Sequence, residues 1–267
     1  MKLVVFSDLH YFSGDIETAI FNRNKKLVRY ALPFLDSLIN TVNSDGDVAA
    51  CINLGDTIQD NQSREDDLEA LGYIFGRLKE FSVPCYSLLG NHDLKMMNSR
   101  EEVEQVLGYK STFSIDLCGY HLVFLTTEVR CELGTDRGGC YKAQYTADAD
   151  LAWLREDLKN NTLPVLIFTH YPLAEDESVT DPCMFMKNRA DVKSIIKEDK
   201  NVRAVISGHQ HYTRTLTEDG IDYHLIGSPI SCQKTPGSPD AVYLTVDITE
   251  DIPKFSVNTM PLDEIPE

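Results

Sequence analysis

The chain has 267 residues, of which 42% are hydrophobic, which is enough for a sizeable core in an α/β fold of two or three layers. Its 42 acidic and 25 basic residues give a formal net charge of −17, which argues against nucleic acid or another polyanion as a partner. No segment approaches the roughly 18 consecutive apolar residues of a membrane span, and the N-terminal apolar run leads straight into Asp8, as a strand does and a signal peptide does not.

Five short apolar runs each end in a polar tip made of Asp, His, Asn and Gly. They are Lys2–Phe6, Val48–Leu54, Val83–Leu89, Leu163–Thr169 and Val202–Ser207. Such runs are typical of strands that are buried on both faces in a largely parallel sheet. Because ligands bind at the carboxyl ends of the strands in these sheets, we expect the five tips to meet at one edge of one sheet.

Helical spacing of apolar residues predicts helices between these strands. A helix with Leu27, Leu35 and Val42 on its apolar face follows the first strand, and Pro33 should kink it or open its second half. Further helices are expected at Leu68–Leu78, Leu151–Leu158 and Val192–Ile196. Thr146 is a plausible N-cap for the helix at Leu151–Leu158.

The remaining strands are predicted as antiparallel pairs. Alternating residues flank two turns, so hairpins are expected at Thr112–Leu117 with Tyr120–Thr126 and at Thr213–Thr217 with Ile221–Ile226, followed by strands at Ala241–Ile248 and Lys254–Thr259. Alternating β/α units followed by a β-rich half, with no repeat or linker, predict a single α/β (mixed α+β) domain over residues 1–267.

The cysteines indicate a reduced protein. The chain has seven cysteines, an odd number, with no C-x-x-C spacing. Cys51 and Cys85 fall within predicted strands and are most simply core residues, whereas Cys131, Cys140, Cys183 and Cys232 fall in loops. We therefore expect a cytoplasmic protein.

The polar tips together form a metal-ligand set. They contain two carboxylates, one amide and four imidazoles, contributed by Asp8, His10, Asp56, Asn91, His170, His209 and His211. This mixture suits Mn²⁺, iron (Fe²⁺ or Fe³⁺) or Zn²⁺ better than Ca²⁺. Seven ligands are too many for one tetrahedral zinc ion, but they suit two ions that share a carboxylate, as in hydrolytic phosphate sites.

His92 and Asp93 are the candidate catalytic residues. His92 follows Asn91, so it lies at the metal edge without needing to bind metal. An imidazole there can hydrogen-bond a non-bridging phosphoryl oxygen or protonate the leaving alkoxide. We expect Asp93 to hold the other ring nitrogen of His92. His121 and His224 fall in predicted hairpin strands and are interpreted as ordinary strand residues.

The order D-x-H, G-D, G-N-H-D, H, G-H-x-H over positions 8 to 211 resembles the calcineurin-like metallophosphoesterase superfamily. The resemblance implies a four-layer αββα sandwich, two β-sheets flanked by helices. It also implies that Asp8, His10 and His211 hold one metal, that Asn91, His170 and His209 hold the other, and that Asp56 bridges the two. The same catalytic roles for His92 and Asp93 follow from it.

Shorter motifs indicate two branches of this superfamily. Leu54–Ile58 and Gly138-Gly139 with Trp153-Leu154 resemble both the class III cyclic-nucleotide phosphodiesterases and the manganese-dependent ADP-ribose and CDP-alcohol pyrophosphatases. Substrate choice is expected to depend on two loops, 128–145 and 171–189. The first carries Arg130 and Arg137, and the apolar residues of the second are suited to base stacking, a dimer contact or loop packing.

The leading hypothesis is a hydrolase with two divalent metal ions that cleaves a phosphodiester, nucleotide pyrophosphate or phosphomonoester, with metal-bound hydroxide as the nucleophile. Its partner would be a small phosphorylated or nucleotide-like substrate. The alternatives are a protein phosphatase or nuclease of the same fold, or a catalytically silent scaffold. A scaffold would be expected to lose His92 or several ligands, and all of them are present in the sequence. The sequence makes no prediction about the oligomeric state.

Overall fold

The structure is a computed structural model that describes residues 1–14, 27–59, 61, 63–130, 143–230 and 240–261. Thirteen strands and six α-helices lie in these ranges. The strands are β1 Lys2–Phe6, β2 Val48–Asn53, β3 Cys85–Ser87, β4 Phe113–Leu117, β5 Tyr120–Leu125, β6 Glu128–Arg130, β7 Ala143–Tyr145, β8 Val165–Thr169, β9 Val202–Ser207, β10 Arg214–Glu218, β11 Ile221–Leu225, β12 Asp240–Asp247 and β13 Lys254–Pro261. The helices are α1 Ala31–Ser44, α2 Arg64–Arg77, α3 Asn91–Leu94, α4 Arg100–Leu107, α5 Asp148–Asn160 and α6 Arg189–Glu198, with 3₁₀ turns at Val28–Tyr30, Leu78–Glu80 and Pro182–Met184.

The five predicted strands are present, but they are divided between two sheets. A five-stranded sheet has the order β13-β12-β1-β2-β3, and a six-stranded sheet has the order β10-β11-β9-β8-β5-β4. In the first sheet β1, β2 and β3 are parallel, and in the second β5, β8, β9 and β11 are parallel. The expectation of one edge of one sheet was therefore wrong. An apolar run shows that a strand is buried on both faces but does not show which strand it pairs with.

The layers follow from the alternation of side chains along each strand. In β1, Leu3 and Val5 point into the core between the two sheets, where they meet Phe124 and Phe168 of the second sheet. Val4 and Phe6 point the other way, into a core that α1 and α2 cover. The outer face of the second sheet packs on α5 and α6. This is the expected αββα sandwich.

Of the two alternatives for Pro33, the second is confirmed: a 3₁₀ turn at Val28–Tyr30 precedes α1, and Pro33 lies in the first turn of α1, where the missing N–H costs no hydrogen bond. Another local expectation needs correction. Thr146 does not cap α5. The N-cap is Ala147, and the Thr146 hydroxyl points instead to the sulfur of Met186, 3.2 Å away.

The hairpins lie where they were expected, and β3 is shorter than its apolar run. His121 in β5 lies between the carboxylates of Asp116 and Asp157, at 2.6 and 2.9 Å, and His224 in β11 stacks on Phe255 with ring centroids 3.7 Å apart. Both histidines are strand residues with structural partners, as predicted. None of the helices in the described ranges has the length and apolar character needed to cross a membrane.

Candidate metal centre

Seven side chains from the ends of five strands meet where the edges of the two sheets come together. The loops after β1 and β2 carry Asp8, His10 and Asp56, and α3, which follows β3, begins at Asn91. The second sheet contributes His170 directly after β8 and the segment 209–211 after β9. All of these residues are buried except the two histidines of segment 209–211, which are partly buried. The polar tips therefore converge in the interior rather than at the protein surface.

The first group of candidate ligands consists of Asp8, His10, Asp56 and His211. Each offers one ligand atom, and these atoms lie within 4.8 Å of one another. The Nε2 atoms of His10 and His211 face each other at 3.0 Å, and Oδ1 of Asp8 lies 3.2 Å from Nε2 of His211. Lone pairs that converge in this way suit a shared cation.

The second group consists of Asp56, His170 and His209, again within 4.8 Å. Oδ1 of Asp56 lies 3.4 Å from Nε2 of His170, while its Oδ2 lies 3.7 Å from Nε2 of His10 in the first group. Asn91 belongs to this side, because its Oδ1 is 3.3 Å from Nε2 of His170. Asp56 therefore presents one oxygen to each group.

Hydrogen bonds aim the imidazoles of the second group. Nδ1 of His170 donates to the carbonyl of Leu54 at 3.0 Å, which leaves Nε2 turned toward Asp56 and Asn91. Nε2 of His209 donates to the carbonyl of Cys183 at 3.3 Å, so its Nδ1 carries the lone pair. Backbone carbonyls commonly fix the tautomer of metal-binding histidines in this way.

Five of the seven candidate ligands have left-handed backbone angles. Positive φ values occur at Asp8 (57°), His10 (48°), Asp56 (50°), His209 (69°) and His211 (59°). The other two non-glycine residues with positive φ among the described ones, Cys118 and Asp219, lie in hairpin turns. Such angles are costly for residues with a Cβ atom, and they concentrate at functional sites where the surrounding structure enforces them.

Two glycines allow the loops to approach each other. An ideal Cβ on Gly90 would lie 2.2 Å from Oδ1 of Asp56, and one on Gly208 would lie 1.9 Å from the Ser7 hydroxyl and 2.6 Å from Oδ2 of Asp8. The close approach at Gly208 lets the backbone N–H of His209 donate to Oδ2 of Asp8 at 2.9 Å. This contact joins the two sheets at the site.

Replacing Gly208 by alanine is expected to force the β9 loop away from β1. We expect the free energy of unfolding to fall by about 1–3 kcal/mol, as for other overpacked sites, and metal binding to weaken. Urea unfolding and metal analysis by mass spectrometry would measure both effects. Gly46→Ala is the matched control, because a Cβ there meets nothing within 4 Å. Unchanged stability and metal content in Gly208→Ala would contradict this account.

The electrostatics favour ionised carboxylates. Burial alone would raise the pKa of Asp56, but the surrounding imidazoles, led by His170, hold it well below its usual range. His211 likewise lowers the pKa of Asp8 against the effect of burial. Burial alone would lower the pKa of His170, but Asp56, together with Asp8 and Asp93, raises it to about 9. Burial and the charge of His170 lower the pKa of His209 to about 3. The field that draws a proton to His170 also attracts a metal cation, whose binding releases that proton.

The residues present fit two divalent cations. Oδ1 of Asp8 and Nδ1 of His209 are buried and accept no hydrogen bond from the described residues, although both lie within the ligand groups. Buried polar atoms without a hydrogen-bond partner are rare, and one cation in each group would satisfy these two atoms. The oxygen and nitrogen donors are those of a Mn²⁺, iron or Zn²⁺ site.

His92 lies at this centre, but its expected partnership with Asp93 was wrong. Oδ1 of Asp93 accepts from the backbone N–H groups of Thr57 and Ile58 at 2.8 and 3.1 Å, and its Oδ2 accepts from Gly90 at 2.9 Å. Asp93 thus fixes the turn that carries Asn91 and His92. Burial, with the nearby charge of Asp56, raises the pKa of Asp93 to about 7.

Gln59 is the residue that sequence reasoning missed beside His92. Its Nε2 lies 3.4 Å from Nδ1 of the His92 ring. The ring of His92 meets that of His10 edge-on, with centroids 4.7 Å apart, and its Nε2 lies 4.0 Å from Oδ2 of Asp56. The only signal in the sequence was the position of Gln59, three residues after Asp56, in the segment that follows a ligand-bearing strand.

The segment 171–189 forms a wall of the site through contacts that the sequence did not indicate. Tyr171 is buried and lies against His209 with ring centroids 3.9 Å apart. Gln210 donates from its side chain to the carbonyl of Met184 at 2.9 Å, which ties the wall to the β9 loop. Phe185 and Met186 are buried, which supports loop packing among the alternatives for this segment.

Tyr11 follows the candidate ligand His10 in the chain, but its ring packs on Tyr73 of α2, with centroids 5.3 Å apart, and against the outer core. Arg137, Gly138-Gly139 and three of the loop cysteines (Cys131, Cys140 and Cys232) lie outside the described residues, as does the side chain of Arg130. Of the described cysteines, Cys51, Cys85 and Cys118 are free thiols.

Comparisons with known proteins agree with this arrangement. A protein from Fibrobacter succinogenes described as a probable cyclic nucleotide phosphodiesterase is 26% identical over 209 residues, which cover 76% of this chain and 73% of the relative. Another of that description from Psychrobacter arcticus is 27% identical over 165 residues, covering 60% of this chain and 57% of the relative. The crystal structure of a dimetal phosphatase from Danio rerio has the same fold, with a TM-score of 0.72 at 18% identity over 98% of this chain and 96% of that one.

The two-sheet sandwich and its buried ligand groups define a metallophosphoesterase, a phosphoric ester hydrolase. A model of the calcineurin-like phosphoesterase family matches residues 1–213, and the chain belongs to that family. Two groups of Asp and His residues in this chain are able to bind metal.

Proposed function

We propose that this enzyme hydrolyses a phosphodiester or pyrophosphate bond in a small nucleotide-like molecule, with cyclic nucleotides as the first candidates. The observation that carries the two-metal part of the proposal is the sharing of Asp56 between two ligand groups. Similarity to relatives described as cyclic nucleotide phosphodiesterases supports the substrate class. The net charge of −17 favours a small substrate over a nucleic acid chain.

The proposed ligand sets follow the two groups. Asp8, His10 and His211 would hold one ion, and Asn91, His170 and His209 would hold the other, with Asp56 shared between them. When bound, two divalent ions polarise phosphoryl oxygens and lower the pKa of a water that attacks phosphorus. The chain itself places His92 at the edge of the site, where its Nε2 faces Asp56 and can contact a phosphoryl oxygen. Asp93 would act indirectly, by holding the turn that carries His92.

Two further points are part of this proposal: that the chain forms one domain, and that the protein is located in the cytoplasm. Both sheets contribute ligands, which supports one domain over residues 1–267. Location in the cytoplasm stays a prediction from the cysteine pattern.

We expect hydrolysis of bis(p-nitrophenyl) phosphate to exceed that of p-nitrophenyl phosphate when Mn²⁺ is present. Chelation should abolish both activities. Mn²⁺, Fe²⁺ or Zn²⁺ should each restore them, because the oxygen and nitrogen ligands of the site can bind any of these ions. The extent of recovery should differ, because the affinity of such ligands depends on the metal. Cyclic AMP and ADP-ribose would then separate a cyclic phosphodiesterase from a pyrophosphatase.

Three results would argue against the proposal. Full activity in protein shown to be metal-free would contradict the two-metal site. A preference for the monoester would indicate a phosphatase. Inactivity on every ester, with two metals bound, would favour the scaffold alternative.

A further inference from the structure

Asp176 is a buried carboxylate in the wall segment 171–189, and it belongs to neither of the two ligand groups. Only 6% of the residue is exposed. Its Oδ1 accepts from the backbone N–H and the hydroxyl of Ser178 at 2.9 and 2.6 Å, and its carbonyl accepts from the N–H of Val179 at 2.9 Å. These bonds fix Oδ1 within the wall, so Oδ2 is the oxygen that can hold another element.

Oδ2 of Asp176 contacts the chain just beyond the metal-binding histidines. The hydroxyl of Tyr212, the residue after His211, lies 3.0 Å from this oxygen. The guanidinium of Arg214, at the start of β10, forms an ion pair with the same oxygen. A carboxylate that meets both a hydroxyl and a guanidinium makes hydrogen bonds of the stronger, charge-assisted kind. Asp176 therefore joins the wall to the chain that leaves the metal centre.

A second contact joins the same stretch of chain to the wall. Gln210, between the two histidines, donates from Nε2 to the carbonyl of Met184 at 2.9 Å, and its Oε1 accepts from the hydroxyl of Tyr212. Residues 210, 212 and 214 thus face the wall, whereas the alternate residues 209 and 211 face the metal centre. The contacts with the wall and the direction of the two imidazoles are two sides of one backbone conformation.

This backbone conformation needs support from its surroundings. His209 and His211 have φ values of 69° and 59°, which a chain without tertiary contacts would avoid. The start of the segment is fixed by the hydrogen bond from the N–H of His209 to Asp8. Its end is fixed by the contacts of Tyr212 and Arg214 with the wall.

We propose that Asp176 is a positioning residue for both metal ions and acts through Tyr212 and Arg214. Its contacts keep His209 in one ligand group and His211 in the other. The inference rests on the proposed ligand sets. Because one segment supplies a ligand to each group, the loss of Asp176 should weaken the binding of both ions. By thermodynamic linkage, the ions should in turn stabilise the wall.

Metal affinity tests the inference without an activity assay. Competition for Zn²⁺ with a chelating dye of known affinity would measure the dissociation constants of both sites. We expect Asp176→Ala to bind both ions about 10- to 100-fold more weakly than the wild type, as is usual when a group that orients metal ligands is lost. Tyr212→Phe keeps the ring and removes only the hydroxyl, so we expect a smaller loss, about tenfold, again at both sites.

Asp150→Ala and Tyr120→Phe are the matched controls. Asp150 is buried to a similar extent, with 8% of the residue exposed, and it also pairs with an arginine, Arg100, at 2.5 Å. The hydroxyl of Tyr120 donates to the carbonyl of Glu250. Neither residue lies in the wall or in the segment 209–214. Both variants should keep the wild-type affinity for Zn²⁺, even where they lower the free energy of unfolding.

Excess metal should restore turnover in Asp176→Ala, because a residue that only places ligands is not needed once the ions are bound. We expect low turnover of bis(p-nitrophenyl) phosphate at limiting Mn²⁺ and the wild-type kcat at saturating Mn²⁺. Hydrogen exchange tests the linkage separately. Removal of Zn²⁺ should increase deuterium uptake in residues 176–184 of the wild type, whereas in Asp176→Ala uptake there should be high with or without Zn²⁺.

Unchanged Zn²⁺ affinity in Asp176→Ala would overturn the inference, as would an equal loss in Asp150→Ala. Weaker binding of one ion only, or turnover that stays low at saturating Mn²⁺, would overturn it too. If Asp176→Ala does not fold, Tyr212→Phe decides, since it leaves the carboxylate in place. Failure of the proposed function would be visible in the wild type itself, as fewer than two bound ions or no hydrolysis of phosphoric esters.

Discussion

Asp56→Ala is expected to lose bound metal and nearly all activity together. The two oxygens of Asp56 face different ligand groups, so its removal takes one ligand from each. It also leaves the backbone N–H of His92 without its acceptor, Oδ1 of Asp56 at 2.8 Å. We expect turnover to fall about a thousandfold or more, since polarisation of the phosphoryl group is lost along with the activated water.

Metal analysis by mass spectrometry, run beside the assay, would measure the effect of Asp56→Ala. Asp157→Ala is a suitable control, because it removes a partly buried carboxylate that contacts Ser114 and His121 away from the site. The control should keep two metals per chain and its activity. Retention of both metals in Asp56→Ala would show that the two groups do not depend on a shared carboxylate.

His92→Ala is expected to separate chemistry from metal binding. The ring of His92 lies beside the centre and contacts Gln59, but neither ligand group includes it. Metal content should therefore stay at the wild-type value. Turnover should fall about a hundredfold to a thousandfold, the typical cost of removing one donor aimed at a developing charge.

The informative comparison for His92→Ala is kcat against KM. A group that acts mainly in the transition state lowers kcat and changes KM little, whereas a substrate-binding group mainly raises KM. Circular dichroism would check the fold, because His92 is buried. Loss of metal to the same extent as in Asp56→Ala would mean that His92 is itself a ligand.

The metal-binding side chains were predictable because their chemistry is local. Each polar tip directly follows an apolar run, and strand ends in such folds meet at ligand sites. The residues from Asp8 to His211 that were chosen on this basis all lie together in the structure. The division into two sheets was not predictable from the runs themselves, because pairing depends on contacts between distant segments. The four layers were implied only by resemblance to a family.

The misassigned partner of His92 shows a different limit. Adjacency in sequence made Asp93 the natural candidate, but α3 begins at Asn91 and turns successive side chains in different directions. Asp93 consequently reaches the backbone of the neighbouring loop, and Gln59 reaches His92 from that loop. Contacts across loops depend on backbone angles. Asp and His are enriched at positive φ values, but their presence alone does not show which positions adopt such angles.

The left-handed backbone at five candidate ligands limits how this site can change over evolutionary time. Threonine, valine and isoleucine are excluded at positions 8, 10, 56, 209 and 211 by the backbone alone, whatever chemistry the site performs. Asparagine and glycine are the replacements that the backbone accepts most readily. In a descendant that no longer binds metal, we therefore expect asparagine or glycine at these positions, with the loop backbone unchanged.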